Sequence, residues 1–227
     1  MGMTRAQLVS RVASDIGRTD KDSDIQDYLN WALKELARVH RWKDLEVYDT
    51  TTLDTVADQK RYQLPSDLHV LVDLILEDDD NSRRLVAVHP RHFDDIIPYP
   101  ESDITGRPKW YVQYGNYVEL YPIPDDAYDL HIRYYKFPSE MTSDSDTPDI
   151  TNVDDVLCAY AAYLACVALN EPDEIVNQWK NEYMRRLSLA IAADKRKPDY
   201  SPIARGFDTR KIIVDEYWKY PLHGLGG

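Results

Sequence analysis

A chain of 227 residues with 43% apolar side chains is long enough to bury one substantial core, or a core with a smaller insertion. Its net charge of −13 excludes a protein whose task is to grip a phosphate backbone, because that affinity comes from Lys and Arg. No apolar run approaches the roughly 20 residues of a membrane span, and Met1 to Arg18 lacks the apolar stretch of a secretory signal, so synthesis in the cytoplasm and no membrane partner are expected.

Residues 3–17 read as a helix. Leu8, Val12 and Ile16 fall on one face, and Gly17 supplies a stop. Residues 24–40 read as a stronger helix with Ile25, Tyr28, Leu29, Ala32, Leu33, Leu36 and Val39 on its apolar face, capped by Asp22, Ser23 or Asp24. From Leu45 to Phe137 the pattern changes to short strands and turns punctuated by proline. Leu68 to Leu76 is apolar enough for a buried strand, Glu77 to Asn81 reads as its acidic turn, and Arg84 to Val88 as the return strand. Tyr111–Tyr114 and Tyr117–Tyr121 around Gly115-Asn116 form the clearest hairpin signal. Leu130, Ile132 and Tyr134 alternate with Asp129, His131 and Arg133, as in a half-buried strand.

Helix returns after the polar stretch Ser139 to Ile150. Val153, Val156, Leu157, Tyr160, Leu164 and Val167 mark one face, and Thr151 with Asp154 resembles a capping box. Pro172 fits the first turn of a last helix, with Ile175, Trp179, Leu187 and Ile191 on its core face and Pro198 after its end. The expected fold class is therefore α+β: a four-helix bundle (residues 1–44 and 151–197) interrupted by an embedded antiparallel β domain and linker (45–150), followed by an extended C-terminal arm (198–227).

Charge and aromatic content point to interfaces. Residues 49–152 hold 21 acidic and 9 basic side chains, whereas residues 196–227 hold 6 basic and 4 acidic. There are 17 Tyr against 3 Phe, and Tyr suits surfaces with one apolar and one wet side.

No catalytic constellation assembles. The chain has no phosphate-cradling glycine pattern and no nucleophile elbow. His89, His92, Asp94 and Asp95 are the best metal candidates, but Pro90 separates the histidines and no second cluster completes a shell, so a solvated loop is the plainer reading. Asp144, Asp146 and Asp149 lack the Gly and Glu of a calcium loop. Cys158 and Cys166 stand eight apart in a helical stretch, too far to bridge, and read as core thiols. No cofactor is expected. The arm is the opposite case: Ile212, Ile213, Val214, Tyr217, Trp218, Tyr220 and Leu222 are apolar groups in a segment too short to fold alone.

The order of features resembles the head-to-tail adaptor (connector) proteins of tailed bacteriophages over about residues 3–200. The resemblance is carried by Ile25 to Ala37 with Trp42, then Tyr62-Gln63-Leu64-Pro65-Ser66-Asp67, Gly106-Arg107-Pro108, Gly115-Asn116 with Leu120-Tyr121-Pro122, Arg133-Tyr134-Tyr135, and Asp144 to Ile150 before an Ala-rich and Tyr-rich helix. It implies a structural virion protein at the head–tail junction and no enzyme. The chain would form a ring with copies of itself, as a dodecamer, beneath the portal protein. It would present a platform to a downstream tail or nozzle protein and pass DNA only as cargo during genome ejection. The arm would reach the portal through Arg205, Phe207, Arg210, Lys211, Ile212, Ile213, Tyr217, Trp218 and Tyr220. On the residues alone two other readings stay open. One is a cytoplasmic protein-interaction scaffold that takes peptides on a sheet edge. The other is a metal-dependent hydrolase using His89, His92, Asp94 and Asp95.

Overall fold

Apolar residues at helical spacing build the first two elements of the computed structural model, which describes residues 2–49, 53–77, 82–96 and 104–196. Helix α1 spans Arg5–Ile16. Thr4 caps it: the Thr4 hydroxyl accepts the Gln7 N–H at 3.4 Å, and the Gln7 side chain accepts the Thr4 N–H at 3.0 Å. Gly17 ends it at φ +67°, the left-handed conformation that a side chain would strain. Helix α2 spans Asp22–Val39. None of the three expected residues caps it. Lys21 holds the cap position without a side-chain bond, and Asp22 and Asp24 lie inside the first turn, where their charge meets the positive helix end.

Helices α4 (Asp154–Ala168) and α5 (Asp173–Arg196) follow the strands. Both α1 and α2 pack directly on α4. Leu8, Val12, Ile25, Leu29, Leu33, Val156 and Leu157 meet in one core. Tyr183 and Leu187 bring α5 into it, the Tyr183 ring lying 4.8 Å from that of Tyr160. Three apolar residues expected on helix faces, Val39, Val167 and Ile175, are exposed instead, each at the fringe of its helix where no neighbour covers it among the described residues. Thr151 is no cap either. Val153 precedes α4 without a side-chain cap, while the Thr151 N–H and hydroxyl both reach the Asp44 carboxylate, at 2.8 and 2.6 Å.

Two four-stranded sheets lie between the helices in sequence. The first has the order β1–β8–β3–β4, from β1 (Glu46–Asp49), β8 (Asp129–Lys136), β3 (Leu68–Glu77) and β4 (Arg83–Arg84). The second has the order β2–β7–β6–β5, from β2 (Arg61–Gln63), β7 (Tyr117–Tyr121), β6 (Trp110–Tyr114) and β5 (Val86–Ala87). They share a core in which Leu74, Leu76, Leu130, Ile132 and Tyr134 of one sheet meet Tyr62, Tyr111, Val118 and Leu120 of the other. The β6–β7 hairpin forms as its sequence predicts, with Gly115 at φ +60° in the turn.

Four expectations for this region are corrected. The return strand splits: Arg83–Arg84 pairs with β3, and Val86–Ala87 crosses to the other sheet and pairs in parallel with β6. Leu85 is the pivot, 3% exposed in the shared core. The β region is thus mixed rather than purely antiparallel. Strand β3 is buried only at Asp73, Leu74 and Leu76, with Leu68 to Val72 half-buried. The segment after Val88 is a short helix, α3 (Pro90–Ile96), rather than a loop, because Phe93 anchors it against Val112 and Tyr121. The acidic turn expected at Asp78 to Asp80 lies outside the described residues.

The stretch from Ser139 to Ile150 is stapled to the helices. Its Asp146 and Asp144 carbonyls accept the Arg5 and Ala6 N–H groups at 2.8 and 3.2 Å, so it satisfies donors that α1 leaves open at its start. Asn30 exchanges two hydrogen bonds with the Met141 backbone, at 2.9 and 3.3 Å. The stretch that follows β8 is therefore tied to α1 by backbone bonds and to α2 through the Asn30 side chain.

Candidate functional site

Among the described side chains, the residues proposed for metal chemistry form no metal site. His89 and His92 are exposed, with ring centroids 6.1 Å apart. His89 Nδ1 accepts the Arg91 N–H at 3.3 Å, which makes His89 a local brace for α3. The side chains of Asp94 and Asp95 lie outside the described residues. Asp144, Asp146 and Asp149 each serve a different partner. Asp144 bridges to Arg5 at 2.6 Å, Asp146 accepts the Thr142 and Ser143 N–H groups at 2.8 and 2.7 Å, and Asp149 takes the Ser139 N–H at 2.9 Å and Lys136 at 3.0 Å. Among the described residues no group of three His, Cys, Asp or Glu could hold a metal ion. Cys158 and Cys166 are free and buried in α4. Burial pushes the Cys158 thiol up to about 12, the opposite of a reactive thiol.

What the β region does contain is buried charge. Glu119 on β7 is 6% exposed and is clamped by Arg61 at 2.6 Å and Lys60 at 3.0 Å. Burial pushes its carboxyl upward, but the two cations outweigh that and leave it below the ordinary range. Asp73 on β3 is 5% exposed and pairs with Arg84 at 3.0 Å, while its Oδ1 has no hydrogen-bond partner among the described residues. The face of the first sheet that turns away from the shared core is polar. There the Tyr48 hydroxyl and the Glu77 carboxylate both approach His131 Nδ1, at 3.0 and 3.1 Å, and the Arg133 guanidinium lies 5.3 Å from the Tyr48 ring.

The helical region offers a different surface. Trp31 is 55% exposed on α2, 5.5 Å from the Tyr28 ring, the residue type and setting of an interface anchor. At the far end of α5 the Asp194 carboxylate, 3% exposed, accepts from His40 at 2.9 Å and from the Lys43 N–H at 3.4 Å. The last turn of α5, from which the C-terminal segment departs, is thereby latched to the end of α2. The nine residues assigned to the arm contact, Arg205 to Tyr220, lie outside the described residues.

Sequence reasoning missed these buried acids for readable reasons. Asp73 is the one charged residue inside the apolar run Leu68 to Leu76, and Glu119 stands between Val118 and Leu120. Each is a charge where the pattern calls for a hydrophobe, and that is the signal of a buried pair. Asp194 sits in a polar stretch with no such mark.

Among the described residues these side chains do not assemble into a reaction centre. The arrangement has surfaces, a rigid tie between two regions, and an acidic middle. Two comparisons bear on what such a chain is for. No curated protein matches the sequence. The family model described as SU10 adaptor protein matches residues 3–206.

Proposed function

Because the chain belongs to the SU10 adaptor protein family, a family of phage head-to-tail adaptors, we propose that it is a structural virion protein that forms a ring beneath the portal and joins it to the tail. The observation that carries this reading is the match across residues 3–206 of 227. In this reading residues 1–44 and 151–197 act as a four-helix bundle, residues 45–150 as an embedded β domain, and residues 198–227 as an extended arm. The chain assembles with copies of itself as a dodecamer, hands its lower face to a tail or nozzle protein, and needs no cofactor. The acidic excess of residues 49–152 suits a conduit wall, since repulsion keeps passing DNA from adhering. The stapling of the Ser139–Ile150 stretch to α1 and α2 suits a part that must hold two neighbours in fixed register.

The arm supplies the portal contact through Arg205, Phe207, Arg210, Lys211, Ile212, Ile213, Tyr217, Trp218 and Tyr220. Aromatic anchors fill pockets, and the cations steer the segment to an acidic groove. The test is to mix purified portal rings with the full chain and with a chain lacking residues 205–227, and to image both by electron cryo-microscopy. The full chain adds a ring of density below the portal. The truncated chain stays folded but does not co-sediment with portal. If it co-sediments as well as the full chain, the anchor lies elsewhere; if the full chain itself adds no density, the adaptor reading fails. A filter-binding titration with duplex DNA at physiological salt is expected to give no binding, and submicromolar affinity would overturn the role of DNA as cargo alone.

A further inference from the structure

Helices α2 and α5 each turn one face away from the helical core. On α2 that face carries Asp27, Trp31 and Arg38, all exposed. The helical turn sets these three within about 40° of one another. Arg38 meets Glu35 on its own helix at 3.7 Å. Helix α5 buries only Tyr183, Leu187 and Asp194 of its 24 residues. Its outward face carries Glu174, Gln178, Asn181, Arg185 and Ser188, all exposed, with the exposed Met184 on its flank. Arg185 holds Glu182 at 2.7 Å. Asp27 and Glu174 make no hydrogen bond or ion pair among the described residues.

The charges on the two faces share one spacing. Asp27 precedes Arg38 by eleven residues on α2, and Glu174 precedes Arg185 by eleven on α5. Eleven residues rise about 16 Å and return to the same side of a helix after three turns. Laid antiparallel, the faces set Asp27 against Arg185 and Arg38 against Glu174 at the same time. Trp31 then falls opposite Asn181, one turn from Gln178, Met184 and Arg185. A thioether sulfur and a guanidinium both suit an indole ring. Laid parallel, the same faces set acid on acid and base on base, so charge fixes the direction of packing as well as the partner. Both faces point away from the core that the two helices share, so they can meet only between copies.

We propose that α2 of one chain packs antiparallel on α5 of the next through these faces, and that this is the joint between neighbouring copies. The proposal rests on the ring reading above and names the surfaces that would close the ring. The two faces differ, so the contact is heterologous and repeats from chain to chain, as a closed ring requires. Trp31 is the anchor at its centre. The two ion pairs flank it on the rim, where they fix register more than they add affinity.

Site-directed disulfides test the contact on the chain alone. In this register Lys34 lies opposite Gln178. A Lys34→Cys chain mixed with a Gln178→Cys chain is expected to give a disulfide-linked dimer on mild oxidation at high protein concentration, and neither chain gives it alone. Asp27→Arg in the first chain is expected to lower the yield roughly fivefold at low salt, and Arg185→Glu in the second to restore it. Trp31→Ala lowers the yield as well, and far-UV dichroism checks that each variant stays folded. No dimer in the mixture overturns the proposal, and so does a yield that ignores the charge reversals. A dimer from the Lys34→Cys chain alone also overturns it, since α2 would then be meeting α2 of a second copy. Portal rings separate this contact from the reading beneath it. Bound copies that add density below the portal without a 34–178 cross-link would sink the contact and leave the adaptor reading standing. Cross-linking by chains that add no such density would do the reverse.

Discussion

The helical and β regions solve the burial problem in different ways. The helical core is mostly aliphatic: Leu8, Leu29, Leu33 and Leu157 pack with Ala159, Ala161 and Ala162, beside Trp42 and Tyr183. Each helix satisfies most of its own backbone groups, so the region can be dry. The core between the two sheets is built with Tyr62, Tyr111 and Tyr134, and the β region also buries ionic clamps at Glu119 and Asp73. Tyr62 shows the difference. Its hydroxyl donates to the Gln59 carbonyl at 2.8 Å and receives the Val56 N–H at 3.0 Å, so a core ring also fastens a surface loop. A region with short strands and long connections draws more of its order from polar wiring than the helical region, where Asp194 is buried against His40. That wiring makes the stability of the β region answer to single charges and to acid.

The sharpest break in the comparison is a cavity on the helical side. Trp42 is 1% exposed, and its indole N–H donates to the Leu36 carbonyl at 2.8 Å, closing the end of α2. Trp42→Ala is expected to cost about 3–5 kcal/mol, read from urea unfolding. Because Trp42 stands where α2 passes into β1, and backbone bonds tie the two regions, far-UV dichroism and exchange of the β7 amides are expected to lose structure in one transition. Two separated transitions would show the regions to be independent.

A smaller loss is expected from the charge clamp. Glu119→Gln removes the buried carboxylate that Lys60 and the largely exposed Arg61 clamp, at a cost of about 1–3 kcal/mol. The matched control, Glu182→Gln, removes a carboxylate from a half-exposed helical trio with Arg185 and Arg186, and is expected to shift the midpoint less. Equal effects at the two sites would erase the contrast drawn here.

Acid sharpens the same point. Burial pushes the Glu119 and Asp149 carboxyls up, but Arg61 and Lys60 hold the first, and the Ser139 N–H with Lys136 the second, below their ordinary range. The unfolded chain therefore takes up these protons first. Their contribution is complete above pH about 4.5 and is lost as pH falls through the folded values. The unfolding free energy is expected to fall between pH 5 and 3 as this pair takes up protons, and Glu119→Gln is expected to flatten part of that slope. An unchanged slope would mean that other carboxylates carry it.

The helical core answers to alkali instead. With the Cys158 thiol raised to about 12 by burial, the unfolded chain ionises first. The contribution is complete below the ordinary thiol value near pH 8.5 and is lost as pH rises toward the folded one. Between pH 8 and 9.5 Cys158→Ala is expected to decline less than the parent chain by up to about 1 kcal/mol, measured by urea unfolding at each pH.

What the sequence determined by itself is what local periodicity encodes. The two helices at each end, the Gly115-Asn116 hairpin and the alternation at Leu130, Ile132 and Tyr134 were all legible, because apolar spacing and turn chemistry act within a few residues. So was the family, carried by short motifs in a fixed order. The helix at Pro90–Ile96 was not, because its seven residues make no full period and Phe93 holds it only through partners on distant strands. Tertiary structure alone decided where Val86–Ala87 pairs, why Thr151 serves Asp44 rather than α4, and that Asp194 is buried against His40. Those partners stand 107 and 154 residues apart for Thr151 and Asp194, a distance at which no spacing rule operates.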